Sequence, residues 1–154
     1  ATVYCRSWTR RPAEHPTGAL FRVMHVIGIG NEIVECLRIA RMIQRHGELF
    51  IDRVFTASEI EFCRNRALAT QHYAGHWAAK EAILKAIGTP WRKGLGWRDI
   101  EVRSHAEGRP IVQVYGGAAE LCGDLGIERY KGSISHCRTF ATAFAIALGN
   151  RSPE

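Results

Sequence analysis

The chain has 154 residues and a net charge of +6, with an ordinary 46% of hydrophobic residues, which suits one domain with its own core. No uninterrupted apolar run is long enough to span a membrane, and the arginines near the N-terminus are followed by no apolar core of a secretory signal. Five scattered cysteines without a CxxC spacing argue against a zinc site or a disulfide frame and for reduced thiols in the cytoplasm.

Residues 1–23 contain turn formers and no sustained periodicity, and are expected to be a flexible extension preceding a domain over 24–149, with 150–154 as a tail. Met24 is a candidate alternative translation start. Residues 25–34 alternate as a strand, which puts Gly28, Gly30 and Glu32 on one face. Two glycines there leave room beside Glu32 for another backbone or a ligand. Residues 37–46 have a helical pattern ending at Gly47, and Arg38, Arg41 and Arg45 form one basic stripe along it. Thr56-Ala57-Ser58-Glu59 is a capping-box pattern that opens another helix.

A longer helix is expected over 71–87, with Gly88 as its stop. It is mostly apolar but carries Lys80, Glu81 and Lys85. Glu81 and Lys85 are one turn apart on the same face, with Trp77 one turn before them. Charges on such a helix must be paired, bound to a metal or turned toward a polar ligand, because unpaired burial costs several kcal/mol. The plain alternative is an i,i+4 ion pair on a solvated face.

The second half changes character. Strands are expected over 98–103 and 111–115, separated by the turn Glu107-Gly108-Arg109-Pro110. A short helix follows over 117–124. Two long strands over 130–136 and 139–148 are joined by a tight connection at Cys137-Arg138. The order of elements gives an α+β fold, with helices packed on a mainly antiparallel sheet.

Glu32 and Glu81 are carboxylates in unrelated segments, each in an apolar or glycine-lined setting. One or two carboxylates completed by phosphate oxygens and water are the usual protein share of a Mg²⁺ site. Lys85 could then meet a phosphate oxygen, and Ser133-Ile134-Ser135-His136 offers hydroxyls and an imidazole at a strand end. There is no Walker loop, no complete dinucleotide fingerprint, no HExxH and no nucleophile elbow. A basic surface alone would also admit nucleic acid, but the chain has neither a recognisable binding motif nor a stripe of exposed aromatics.

Taken together, Gly28-Ile29-Gly30-Asn31-Glu32-Ile33-Val34-Glu35, Trp77-Ala78-Ala79-Lys80-Glu81-Ala82, Ala86-Ile87-Gly88-Thr89, Trp97-Arg98-Asp99-Ile100-Glu101-Val102, Gly108-Arg109-Pro110 and Ser133-Ile134-Ser135-His136 follow one another in a characteristic order and spacing. In this the chain resembles the holo-acyl-carrier-protein synthases, the small single-domain type of 4′-phosphopantetheinyl transferase, over about residues 24–148. The resemblance implies that family's fold and its reaction. Phosphopantetheine passes from coenzyme A to a serine of apo acyl carrier protein, with Mg²⁺, and adenosine 3′,5′-bisphosphate is released.

It further implies that Glu32 and Glu81 hold the metal, Glu81 also being a base for the serine, and that Lys85 stands near the pyrophosphate. Lys80, Thr89, Ser135 and His136 would join Lys85 in binding the substrate, with Ser135 and His136 reaching it from a neighbouring subunit of a homotrimer. Arg38, Arg41 and Arg45 would face the acidic carrier protein. Two departures stand out: Glu32 replaces the family's aspartate, and Pro90 follows Thr89 where a glycine is common. A module that binds coenzyme A or the carrier protein without turnover is the alternative reading.

Overall fold

The computed structural model describes residues 24–89, 94–104 and 109–150. The expected leader over 1–23, Pro90, the Glu107-Gly108 half of the predicted turn and residues 151–154 lie outside the described residues.

Strand β1 (His25–Glu35) leads directly into helix α1 (Cys36–His46), which ends at Gly47 with φ +55°. Past this left-handed residue the chain starts a second short helix, α2 (Glu48–Val54), which the sequence pattern did not predict. Helix α3 (Ala57–Arg64) begins at Thr56 with the full capping box, Thr56 and Glu59 each accepting from the other's backbone N–H. Helix α4 (Ala69–Ile87) is the spine of the domain and stops at Gly88 in the αL conformation. Strands β2 (Ile100–Ser104) and β3 (Pro110–Val114) form an antiparallel pair. Arg98 and Asp99, expected to open β2, instead belong to a 3₁₀ turn (Trp97–Asp99) whose Asp99 carboxylate accepts from Gly96 N–H at 3.0 Å. Helix α5 (Gly116–Asp124) then leads to β4 (Ile127–His136) and β5 (Phe140–Gly149).

Both sheets are antiparallel, the larger in the order β1-β5-β4 and the smaller β2-β3. This is the α+β architecture expected, with the antiparallel material of the described residues divided between two sheets.

Strand β5 is central, and its period-2 pattern explains the packing. Ala141, Ala143, Ala145 and Ala147 all face inward and are buried, while Thr142 and Phe144 point outward. Helix α4 answers with Ala74, Ala78, Ala82 and Ala86, all buried. Small residues on both sides let the helix lie close to the sheet. The approach is closest at β1: a Cβ on Gly28 would stand 2.0 Å from the Ala86 carbonyl oxygen, and one on Gly30 2.0 Å from that of Ala82. The space left by the two glycines is therefore taken by the backbone of α4, and Glu32, two residues on, is brought against that helix.

Candidate active site

Helix α4 and strand β1 together set the first group of charges. Lys85, in the last turn of α4, places its Nζ 2.7 Å from a Glu32 carboxylate oxygen and 2.9 Å from the Asn31 carbonyl oxygen. Glu81 is half-buried one turn earlier on the same face of the helix. Thr89 follows the Gly88 cap, with its N–H donating to Leu84 O at 3.3 Å. The Lys85 side chain is 51% exposed and that of Glu32 23%, so water reaches the pair and screens it. Such a pair adds little to stability and can exchange partners when an anionic ligand arrives.

Lys80 does not belong to this group, contrary to the expectation that it binds substrate. It is fully buried. Its Nζ donates to the backbone carbonyls of Val54, Trp97 and Ile100 at 2.8, 3.0 and 2.7 Å, and lies 2.8 Å from the buried carboxylate of Glu59. Neighbours on a helix point about 100° apart, so Lys80 enters the core while Glu81 beside it is only half-buried. Burial drives the Lys80 pKa down, and the Glu59 charge opposes that without cancelling it. Burial pushes Glu59 upward, but its contacts with His76 (3.4 Å) and Lys80 outweigh this and hold it below the usual carboxylate value. Glu59 also accepts from Val102 N–H at 3.0 Å. Lys80 thus ties α4 to α2, α3 and β2.

Beside this cluster, buried Glu101 accepts from Thr56 Oγ1 and Tyr115 Oη, both at 2.8 Å, from Arg103 at 3.0 Å, and from Ser58 Oγ. Burial raises its pKa, and these donors more than reverse that, lowering it to about 2. Sequence reading missed both networks. The only signal was the capping box itself, whose Thr56 and Glu59 serve them.

Ser135 and His136 end β4 in exposed positions. The His136 ring meets that of His72 at 4.9 Å, and both line a cleft of about 340 Å³ together with His76, Arg109 and Ser133. His72 lies near the start of α4, thirteen residues before Lys85, about 20 Å along the helix. His136 thus meets the start of α4 and the Glu32–Lys85 pair its last turn, while in the sheet Ser135 stands two strands from Glu32, whose partner Ala143 also pairs with Ile134. Arg38, Arg41 and Arg45 are all exposed along α1.

The family model of the 4′-phosphopantetheinyl transferase superfamily matches residues 28–145, a span from the glycines of β1 through β5. A holo-[acyl-carrier-protein] synthase of Rhodopirellula baltica is 44% identical over 123 residues, 80% of this chain and 98% of that protein. The chain belongs to the holo-[acyl-carrier-protein] synthase family. It is accordingly an enzyme of the phosphopantetheinyl transferase class. The crystal structure of the Neisseria meningitidis synthase superposes with a TM-score of 0.74 at 30% identity, covering 80% of this chain and 98% of that one. That of the Helicobacter pylori synthase in complex with coenzyme A gives 0.68 at 29% identity, covering 77% and 98%.

Within this synthase fold one further feature adjoins the arginine helix. A cleft of about 470 Å³ opens between α1, α2 and α4, walled by Met42, Leu49, Phe50, Val54, Trp77 and Trp97 and edged by His46 and Arg53. Trp77 stacks on Phe50 at 5.8 Å and meets Trp97 at 4.3 Å. Helix α2 creates this cleft by placing Leu49 at the surface, 81% exposed, and Phe50 inside.

Proposed function

We propose that this synthase transfers 4′-phosphopantetheine from coenzyme A to a serine of apo acyl carrier protein in a Mg²⁺-dependent reaction and releases adenosine 3′,5′-bisphosphate. The observation that carries the reading is the meeting of Glu32 with Lys85 across the β1–α4 contact, with Glu81 one turn away on the same face of α4. The coenzyme A complex of the Helicobacter relative supports coenzyme A as the donor.

The donor set fits a hard divalent cation: two carboxylates from facing elements, leaving the remaining positions to phosphate oxygens and water. Glu32 and Glu81 would hold it. When bound, Mg²⁺ would neutralise the diphosphate and stabilise the departing bisphosphate. The chain's own residues supply the rest. Lys85 leaves Glu32 and donates to a diphosphate oxygen, keeping a positive charge where negative charge builds up. Thr89, just beyond the end of α4, is the neighbouring hydroxyl on the substrate side. Glu81 accepts the serine proton directly or through one water. The serine oxygen forms the new bond to phosphorus while the bond to the bridging oxygen breaks in line with it. Arg38, Arg41 and Arg45 attract and orient the acidic carrier protein, and the adjoining Met42–Leu49–Trp77 cleft receives an apolar side chain from it.

The active form is proposed to be a homotrimer, with Ser135 and His136 reaching the coenzyme A phosphates of a neighbouring subunit. Two features support this. Ser135 pairs with outward-pointing Thr142 on the sheet face away from α4, and His136 meets the opposite end of α4 from Lys85. The sheet face away from α4 also leaves Ile29, Ile33 and Phe144 exposed at 62%, 63% and 45%, an apolar patch of the kind that marks an interface. The proposed compartment is the cytoplasm, in keeping with free thiols at Cys36, Cys63, Cys122 and Cys137.

The test is incubation with coenzyme A, Mg²⁺ and apo acyl carrier protein, followed by mass spectrometry of the carrier. The expected result is one phosphopantetheine added per carrier, no addition in the presence of a chelator, and retained transfer by Glu32→Asp. A carrier that stays unmodified while binding the protein would overturn the reading in favour of a non-catalytic binding module.

A further inference from the structure

The β1–β5 ladder brings two cysteines together from opposite ends of the domain. Glu35 pairs with Phe140. Next to that pair, Cys36 N–H donates to Thr139 O and Cys137 N–H to Phe140 O, both at 2.8 Å. The Cys36 thiol, on the first residue of α1, donates to the Cys137 carbonyl oxygen at 3.9 Å. The two sulfurs differ in setting. Cys36 is buried and Cys137 is exposed on the turn between β4 and β5. Cys137 Sγ accepts from Phe140 N–H at 3.4 Å. The amides of Phe140 and Thr139 hold the Cys137 pKa below the usual thiol value, whereas burial, and then the neighbouring Cys137, push Cys36 up. An accessible sulfur inclined to the thiolate, with a second sulfur close behind it, is the pairing in which one cysteine is oxidised and the other resolves it.

We propose that Cys36 and Cys137 form a reversible intrachain disulfide under peroxide, tying the start of α1 to the β4–β5 turn. The Cys137 thiolate attacks a peroxide oxygen: the S–O bond forms, the O–O bond breaks and hydroxide leaves. Cys36 then attacks the sulfenic sulfur: the S–S bond forms, the S–O bond breaks, and the oxygen departs as water with the Cys36 proton. Two thiols are oxidised and one hydrogen peroxide is reduced to two waters. To reach Cys36, the Cys137 side chain must swing away from Phe140 N–H, and on an exposed turn no packing opposes this.

The effect on turnover rests on the function proposed above. The bridge would seize the residue after His136 and fasten it two residues before Arg38, drawing His136 from its contact with His72. Oxidation would thereby slow transfer, and a dithiol would restore it.

The test treats the full chain with hydrogen peroxide, blocks free thiols and maps peptides without reduction. The expected product is a peptide pair joined through Cys36 and Cys137, lighter by two hydrogens and released by dithiothreitol. Cys36→Ser should leave Cys137 as a sulfenic acid that dimedone traps, and Cys137→Ser should leave Cys36 a free thiol. In the wild type, transfer should fall in proportion to the bridged fraction and return with dithiothreitol. Oxidation of Cys137 without a bridge to Cys36, or a bridge only between two chains, would overturn the proposal. So would transfer at full rate by the bridged protein. Absence of transfer before any oxidation would instead count against the proposed function, and the peptide map would still decide whether the bridge forms.

Discussion

Around Lys80 the fold closes a charged group off from water, and around Lys85 it leaves one within water's reach, although the two lysines stand five residues apart on the same helix. Lys80 is locked by three backbone carbonyls and the Glu59 carboxylate. Lys85 has one carboxylate and one carbonyl, with half its side chain in solvent. The first environment makes the charge part of the architecture. The second keeps it able to change partners, which is what the proposed phosphate-handling role requires. Glu81, next to Lys80 in sequence, falls on the open side because a single helical step of 100° separates core from site.

The contrast is broken most directly at Lys80. Lys80→Met removes the positive charge and leaves Glu59 buried without its ion-pair partner, an effect of about 3–5 kcal/mol. Thermal unfolding should shift down by roughly 6–20 °C for a chain of this size. If Lys80→Met melts like the wild type and loses transfer alone, the assignment of Lys80 to the architecture fails. Glu81→Ala is the converse case. It should reduce transfer by roughly 10²–10³-fold, the scale of losing one group that acts on developing charge, with a change in stability within about 1 kcal/mol. A Glu81→Ala protein that unfolds would place Glu81 with Lys80 in the architecture.

These two residues also mark where sequence reading stops. The fold class was legible because periodicity reports local structure directly: alternating glycines and alanines in the strands, the capping box at Thr56, and the Gly47 and Gly88 stops. The charged helix was legible too, since three charges among alanines demand partners. Which charge met which partner was not. Glu59 and Glu101, which settle the matter for Lys80 and for α3, come from segments whose approach is a tertiary event. Helix α2 was missed for a related reason. Gly47 ends one helix and begins the next, so the stop signal conceals the restart, and with it the Met42–Leu49–Trp77 cleft.

A smaller effect sharpens the link between the site and its support. Gly30→Ala would set a Cβ 2.0 Å from the Ala82 carbonyl oxygen and 2.8 Å from the Lys85 Cβ. Neither backbone can yield without α4 moving off β1. The expected cost is about 1–3 kcal/mol, the scale of overpacking, accompanied by reduced transfer as Lys85 and Glu32 separate. Guanidinium unfolding and the transfer rate measured on the same preparation check this. A stable variant with full activity would show that the close β1–α4 contact is not what aligns the pair.

The smallest effect concerns Tyr115, whose hydroxyl is one of four side-chain donors to Glu101. Glu101 is held near 2 against an ordinary value of 4.5, so its contribution is fully present above about pH 4.5 and is lost as the pH falls toward 2. Tyr115→Phe removes one charge-assisted bond and lets the folded-state pKa rise, at a cost near 1 kcal/mol at neutral pH. Because the bond is made to the ionised carboxylate and the unfolded-state pKa is common to both proteins, the stability gap between wild type and Tyr115→Phe should hold from pH 7 down past 4.5, narrow only as the pH falls through the variant's raised folded-state pKa, and close below about 2. Urea unfolding of both proteins across that range measures it. A gap that stays constant down to the acid end would mean that Tyr115 contributes by packing and that the other donors alone keep Glu101 ionised.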